Sequence, residues 1–147
     1  SSAAVGIGLM GGSGSARRGA IAAAIEAGFD FPPIVDRSAV LAKDAVIGRG
    51  AFIGKLAVVN ASASVGEFSI INSGAVVEHD CIVGDYVHVA CNATLCGNVI
   101  VGDGAFVGAG AVVIQGVKVG QGAVVGAGSV ILSDVPAGST VYGVFNG

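Results

Sequence analysis

The chain of 147 residues has no tryptophan, one methionine, three prolines and three cysteines, and only 12% of its residues are charged. Charge that sparse, about half the usual share, excludes a disordered polyelectrolyte and a coiled coil rich in Glu and Lys. Seven Lys and Arg stand against ten Asp and Glu, a net charge of −3, which argues against general binding to nucleic acid. Mean hydropathy is high at +0.84. Yet no apolar stretch of about 18 residues runs without a Gly, Ser, Asp or Gln, so no transmembrane helix is expected. Residues 1–5 carry no basic stretch ahead of an apolar core, so no secretory signal is expected. Cys81, Cys91 and Cys96 are odd in number and lack C-x-x-C spacing. They predict neither a disulfide framework nor a zinc ribbon, and the expected setting is a reducing cytoplasm.

What is abundant is glycine, at 26 residues, in a chain that is 53% hydrophobic. The hydrophobic residues keep a strict rhythm. Every sixth residue from Val35 (Leu41, Ile47, Ile53 and on to Ile131) is aliphatic in 17 successive units. The residue four places later, from Ala39 to Val135, is small or β-branched in all 17. Glycine follows the aliphatic residue in eight of the 17 units, as at Gly48, Gly84 and Gly126.

Such a period predicts a solenoid of hexapeptides. One aliphatic side chain per hexad points inward, and a small residue makes room at each corner. Three hexads close a triangular coil of 18 residues, which gives between five and six coils over residues 35–136. The glycines, with Asn60 and Asn72, are expected to supply the left-handed backbone that tight turns need. Burying each aliphatic side chain contributes roughly 1.5–3 kcal/mol. Ordering the backbone costs about 1–2 kcal/mol per residue. Hydrogen bonds between coils, about 4.8 Å apart, must therefore supply the rest. Outward apolar residues (Phe52, Phe68, Ile70, Ile82, Phe106, Ile114) predict an interface, and a homo-oligomer explains them most economically.

The ends depart from the rhythm. Val5, Ile7 and Leu9 alternate with glycine like a short strand. Residues 15–27 have a helical pattern with Gly28 as C-cap, and 29–33 form a linker. Gly6, Gly8 and Gly11 fit the dinucleotide fingerprint G-x-G-x-x-G, but no second βα unit follows, so a Rossmann cofactor site is not expected. Asp134-Val135-Pro136-Ala137-Gly138 breaks the hexad. The expected division is 1–34, 35–136 as the solenoid, and 137–147 as a tail.

Together with the repeat, the run Val76-Val77-Glu78-His79-Asp80-Cys81-Ile82-Val83-Gly84-Asp85-Tyr86-Val87-His88-Val89 resembles the hexapeptide-repeat acyltransferases. Within them it is similar to the branch of sialic-acid O-acetyltransferases and bacillosamine-pathway sugar N-acetyltransferases. Ala93-Thr94-Leu95-Cys96-Gly97-Asn98, Val107-Gly108-Ala109-Gly110-Ala111 and Asp134-Val135-Pro136-Ala137-Gly138 continue the resemblance over nearly the whole chain. It implies an all-β fold, a left-handed parallel β-helix, preceded by a strand–helix remnant of a Rossmann-like nucleotide-sugar-binding domain. The left hand comes from the resemblance alone, since generic crossover rules favour the right. It further implies acetyl-CoA as co-substrate, a sugar or nucleotide-sugar acceptor, a homotrimer and no metal. Two departures stand out. Only the last strand–helix of that N-terminal domain is expected in residues 3–28, and the ending Gly143-Val144-Phe145-Asn146-Gly147 lacks the family's basic residue.

Acetyl transfer needs a base for the attacking amine or hydroxyl and donors for the thioester oxyanion. The chain has two histidines, His79 and His88. His79, at the outward third position of its hexad, is the candidate base. The resemblance implies Asp80 as the acid that orients it, and Glu78 is the local competitor. Gly97 lies 18 residues after His79, one coil above, with its N–H about one strand spacing away. That suits an oxyanion donor, and the resemblance agrees. His88 is half a coil from His79, so the two cannot share a ligand within one subunit, though they could meet across a trimer interface. The resemblance implies that His88 contacts acetyl-CoA and that Ala109 and Ala127 line the pantetheine groove between subunits. Cys81 takes a small inward position. Cys91 and Cys96 read as packing residues, and Cys96, stacked above Glu78, is placed to line the site. Two rival readings are a γ-carbonic-anhydrase-like hydratase and a non-catalytic trimeric solenoid. The first fits poorly, since it needs three histidine ligands per zinc. The acceptor, and whether nitrogen or oxygen attacks, stay open.

Overall fold

The computed structural model describes residues 1–6 and 14–147. The hexads form a parallel β-solenoid of about six coils with three flat faces. The first face stacks seven two-residue strands, from Ile34–Val35 to Thr140–Val141. The second stacks seven, from Val40–Leu41 to Val144–Phe145, and the third five, from Val46–Ile47 to Lys118–Val119. Strand residues pair with the one 18 further along, as Ile34 with Phe52 and His88 with Phe106, until the last coil shortens the offset, as in Val124 with Thr140. Strands this short are held by what lies above and below them.

The first-position side chains from Ile53 to Ile131 and the fifth-position ones from Ala51 to Val135 are all buried. They fill the prism as the hexad predicts. At its open end Val35 is still 41% exposed, because the first coil has no coil beneath it.

The corners differ from expectation in a useful way. From Gly50 to Gly128 every fourth-position residue is left-handed, with φ between 56° and 77°. Leu56, Phe68, Asp80 and Tyr86 are among them. For a non-glycine residue that conformation costs roughly 1–2 kcal/mol. The coil offsets the cost, because the fourth-position N–H then donates one coil back, to a third-position carbonyl except at Leu56 and Ser62, which donate to the Ser38 and Asp44 side chains. Phe68 N–H to Arg49 C=O is 2.9 Å, and Asn98 N–H to His79 C=O is 3.0 Å. Asn60 and Asn72, expected in left-handed backbone, are not so placed. Their side-chain oxygens instead accept the N–H of Ala61, at 3.2 Å, and of Ser73, at 2.8 Å. The second-position glycines are not left-handed either. A Cβ on Gly48 would stand 2.8 Å from Glu67 N, and one on Gly108 would stand 2.5 Å from Ala127 N. Close approach of the next coil, not φ, demands glycine there.

Residues 137–147, read as a tail, extend the prism: Thr140–Val141 pairs with Val124–Val125, and Val144–Phe145 with Val130–Ile131. The N-terminal helix spans Gly14–Glu26. It ends as predicted at Gly28 (φ 82°), with Gly28 N–H on Ile25 C=O and Phe29 N–H on Ala24 C=O. A parallel bridge joins Ser2 to Asp30. Ile7 and Leu9 of the expected strand, and Gly8 and Gly11 of the G-x-G-x-x-G match, lie outside the described residues. Phe68, expected as an outward interface residue, is fully buried. Phe31 meets it edge-on at 5.2 Å, Tyr86 stacks on it at 5.6 Å, and Arg17 Nη1 donates to its carbonyl at 2.7 Å. The chain's own N-terminal segment covers that corner. Among the described residues no helix is long and apolar enough to cross a membrane.

Leu95 is fully buried at mid-prism, with coils on both sides. Leu95→Ala is expected to lower the unfolding free energy by about 2–5 kcal/mol, as measured by urea denaturation.

Candidate active site

His79 sits on the corner between the second and third faces, after the strand Val76–Val77 and before Ile82–Val83. Its side chain is 50% exposed. Nδ1 lies 2.9 Å from Asp80 Oδ2. Asp80 reaches the ring because it occupies the left-handed fourth position (φ 61°), which turns the chain sharply. A carboxylate only accepts, so Nδ1 carries the proton and the neutral ring keeps its lone pair on Nε2. A hydrogen-bonded pair this exposed adds little stability. What it supplies is orientation. Glu78 does something else, since its Oε2 accepts the backbone N–H of His79 and Asn60 Nδ2, both at 3.2 Å. The two carboxylates that sequence left in competition thus divide the work, Asp80 on the ring and Glu78 on the backbone.

Gly97 lies directly above. Thr94 and Leu95 pair with Val76 and Val77, which sets Gly97 over His79. A Cβ on Gly97 would stand 2.5 Å from His79 Nε2. Its φ is not left-handed, so glycine is present here for the imidazole and not for the turn. At five other corners a side chain caps the third-position N–H: Asn60, Asn72 and Glu78 cap from the second position, and Asp85 and Asp103 from the coil above. Cys96 precedes Gly97 and offers no such oxygen. Among the described residues the Gly97 N–H has no hydrogen-bond acceptor. A base nitrogen on a half-exposed ring and the uncapped N–H of a buried glycine thus stand together at one corner.

The other predicted residues lie elsewhere in the chain. His88 is on the first face, which is opposite the His79 corner of the prism. Asn72 Oδ1 accepts Ser73 N–H, so its Nδ2 is the group that donates to His88 Nε2, at 3.2 Å. Phe106 meets the ring edge-on at 5.2 Å. With Arg17, Phe31, Phe52 and Asn72, His88 lines a cleft of about 250 Å³ between the N-terminal segment and the first face. Nothing in the hexad signals that cleft, because half of it comes from residues outside the repeat. Arg17 is 2% exposed, and burial pulls its pKa down from the usual arginine value. Ala109 and Ala127 stack on the corner between the first and second faces, both exposed, with Gly128 N–H on Ala109 C=O at 2.8 Å. One chain therefore unites His79, Asp80 and Gly97, and keeps His88, Ala109 and Ala127 apart from them. Among the described residues no three His, Cys, Asp or Glu side chains are grouped as metal ligands.

Comparison with known proteins bears on this geometry. The profile "Bacterial transferase hexapeptide (six repeats)" matches residues 44–79 and 62–97, and "Hexapeptide repeat of succinyl-transferase" matches 98–133. No curated protein sequence matches the chain. Among solved structures, a histidine-to-alanine mutant of GDP-perosamine N-acetyl transferase from Caulobacter crescentus, in complex with CoA and GDP-perosamine, is 36% identical with a TM-score of 0.87. The match covers 90% of this chain and 63% of that one. The acetyltransferase domain of PglB from Neisseria gonorrhoeae FA1090, in complex with acetyl coenzyme A, is also 36% identical, with a TM-score of 0.86, over 90% of this chain and 64% of that one. WeeI from Acinetobacter baumannii AYE is 30% identical, with a TM-score of 0.85, over 89% and 64%. The chain thus spans just under two thirds of these relatives' length.

Since only an exposed side chain opposes a Cβ at Gly97, Gly97→Ala is expected to fold normally and push the His79 ring off Asp80. A crystal structure of the variant checks this, and a ring unmoved beneath the new methyl would contradict it.

Proposed function

The chain belongs to the bacterial hexapeptide-repeat transferases, and on that premise we propose that it is an acetyl-CoA-dependent acetyltransferase acting on a sugar or nucleotide-sugar. The observation that carries the reading is the His79 imidazole, held by Asp80 at 2.9 Å, beneath a Gly97 N–H that no side chain caps. Because the solved relatives named above include a GDP-perosamine N-acetyl transferase, an amino-sugar nucleotide is the acceptor we favour.

In this reading acceptor and acetyl-CoA bind together, and transfer is direct. His79 Nε2 takes a proton from the acceptor amine as its nitrogen attacks the thioester carbonyl. The new C–N bond forms, and the carbonyl oxygen becomes an oxyanion facing the Gly97 N–H. A preorganised donor aimed at that charge lowers the barrier, since it stabilises the oxyanion more than the ground-state carbonyl. Collapse breaks the C–S bond, and the imidazolium returns the proton to the departing thiolate of CoA. Asp80 keeps Nδ1 protonated throughout, so that Nε2 is the nitrogen available each time. A hydroxyl acceptor would follow the same course with oxygen as nucleophile.

Acetyl-CoA would be held by His88 and by the exposed corner of Ala109 and Ala127. Since these lie away from His79 in one chain, the reading requires a second copy to bring them to it, and a homotrimer does so. Exposed aliphatics support such contacts: Val40 and Val46 are each 63% exposed and Ile82 is 52%. Residues 1–34 would belong to a nucleotide-sugar-binding domain that contacts the acceptor. The three free cysteines accord with a reducing cytoplasm.

His79→Ala is expected to reduce kcat about 100- to 10,000-fold while leaving acetyl-CoA affinity nearly unchanged. Thiol-release assays with amino-sugar nucleotides measure the first and calorimetry the second. A parent chain that fails to bind acetyl-CoA, or a variant with undiminished turnover, would overturn the reading.

A further inference from the structure

We propose that the buried Cys81 thiol is a positioning residue: it grips the carbonyl of the Cys96–Gly97 peptide and thereby aims the Gly97 N–H. The inference rests on the acetyltransferase reading above and names a part of its oxyanion site that the hexad pattern treats as packing. Cys81 is fully buried at a fifth position, and its Sγ donates to Cys96 C=O at 3.1 Å. The next carbonyl, Leu95 C=O, is 4.0 Å away. The Val99 N–H faces the same sulfur and favours its charged form.

That arrangement replaces a bond made at other corners. There the fifth-position N–H closes onto the second-position carbonyl of its own hexad, as Ala93 N–H on Ala90 C=O at 3.2 Å and Ala105 N–H on Gly102 C=O at 3.2 Å. Among the described residues no such bond joins Val99 N–H to Cys96 C=O. The thiol stands between them and holds the corner open.

Ser69 does the same two hexads earlier. Val87 N–H donates to its Oγ at 2.9 Å, and the Oγ donates to Gly84 C=O at 2.7 Å. The front of that peptide, however, is already used, since the Asp85 N–H is capped by Asp103 Oδ1 at 2.8 Å. At Cys96–Gly97 the front is open, because Cys96 carries no capping oxygen. A peptide bonded at its carbonyl is also polarised, which strengthens its N–H as a donor. Burial raises the Cys81 pKa, so the sulfur keeps the proton it donates.

Alanine fills the fifth position at Ala75, Ala93 and Ala105, so Cys81→Ala suits the coil. Without the thiol, Val99 N–H can reach Cys96 C=O directly, and the Gly97 N–H turns away from its aim. The test compares Cys81→Ala and Cys81→Ser in the full chain. Kinetics use acetyl-CoA with a panel of amino-sugar nucleotides, and 1H–15N spectra follow the Gly97 and Val99 amides. Cys81→Ala is expected to lower kcat about tenfold, less than the 100- to 1,000-fold loss of a whole oxyanion donor, with KM for acetyl-CoA unchanged. Cys81→Ser should recover most of that loss, since Ser69 shows a hydroxyl making both bonds. The Gly97 amide resonance should move in the alanine variant and return in the serine one. An alanine variant with parental kcat and an unmoved Gly97 amide would overturn the proposal, as would a serine variant no better than alanine. If the parent chain acetylates none of the sugars, the functional reading fails by itself. The amide spectra still decide whether Cys81 sets the peptide.

Discussion

The hydrogen bond from the fourth-position N–H of a hexad to the third-position carbonyl one coil back is the contact on which the rest depends. From Gly50 to Gly128 every fourth-position residue is left-handed, and all make this bond but Leu56 and Ser62, which reach side chains one coil back. Half of these positions are not glycine, so the coil imposes a conformation that most of the side chains resist. The bond locks the register at 18 residues, and the register turns each hexad position into a vertical column. An inward column becomes the core. An outward corner column becomes a row of groups spaced one strand apart, with nothing between neighbours but their own side chains.

A site in such a molecule is a short segment of one column. His79 has Gly97 as its upper neighbour, and the space a Cβ would need is the space the imidazole uses. The glycines of this chain thus answer three separate demands. Gly50 and Gly74 relieve a left-handed turn, Gly48 and Gly108 admit the backbone of the next coil, and Gly97 admits a side chain. Capping follows the same logic. Asn60, Asn72 and Glu78 each close off the N–H that follows them, while Cys96 leaves one open. The chemistry available at a corner is set as much by what is omitted from the column as by what is present.

Much of this was legible beforehand because the repeat is arithmetic. Seventeen aliphatic residues in step specify the core and the coil length, and the coil length alone predicts Gly97 over His79. Other features were not legible, and each failure has a physical cause. Phe68 reads as an exposed interface residue, but the N-terminal segment folds back onto it. Asn60 and Asn72 read as turn formers because Asn tolerates left-handed backbone, yet their amides cap a neighbouring N–H instead. Residues 137–147 lose the hexad and the 18-residue offset and still pair with the coil below, since backbone bonds to a preformed coil do not require a perfect pattern.

The sequence by itself determined the solenoid, its inward ladder and the vertical neighbours within the regular coils of the repeat. Those follow from a fixed period and the burial of apolar side chains, which need no knowledge of distant contacts. Only the tertiary structure decided which carboxylate meets the imidazole, where the cleft beside His88 closes, and how a buried thiol enters a corner. These depend on side-chain direction and on contacts between segments far apart in the chain. A one-dimensional period carries no information about either.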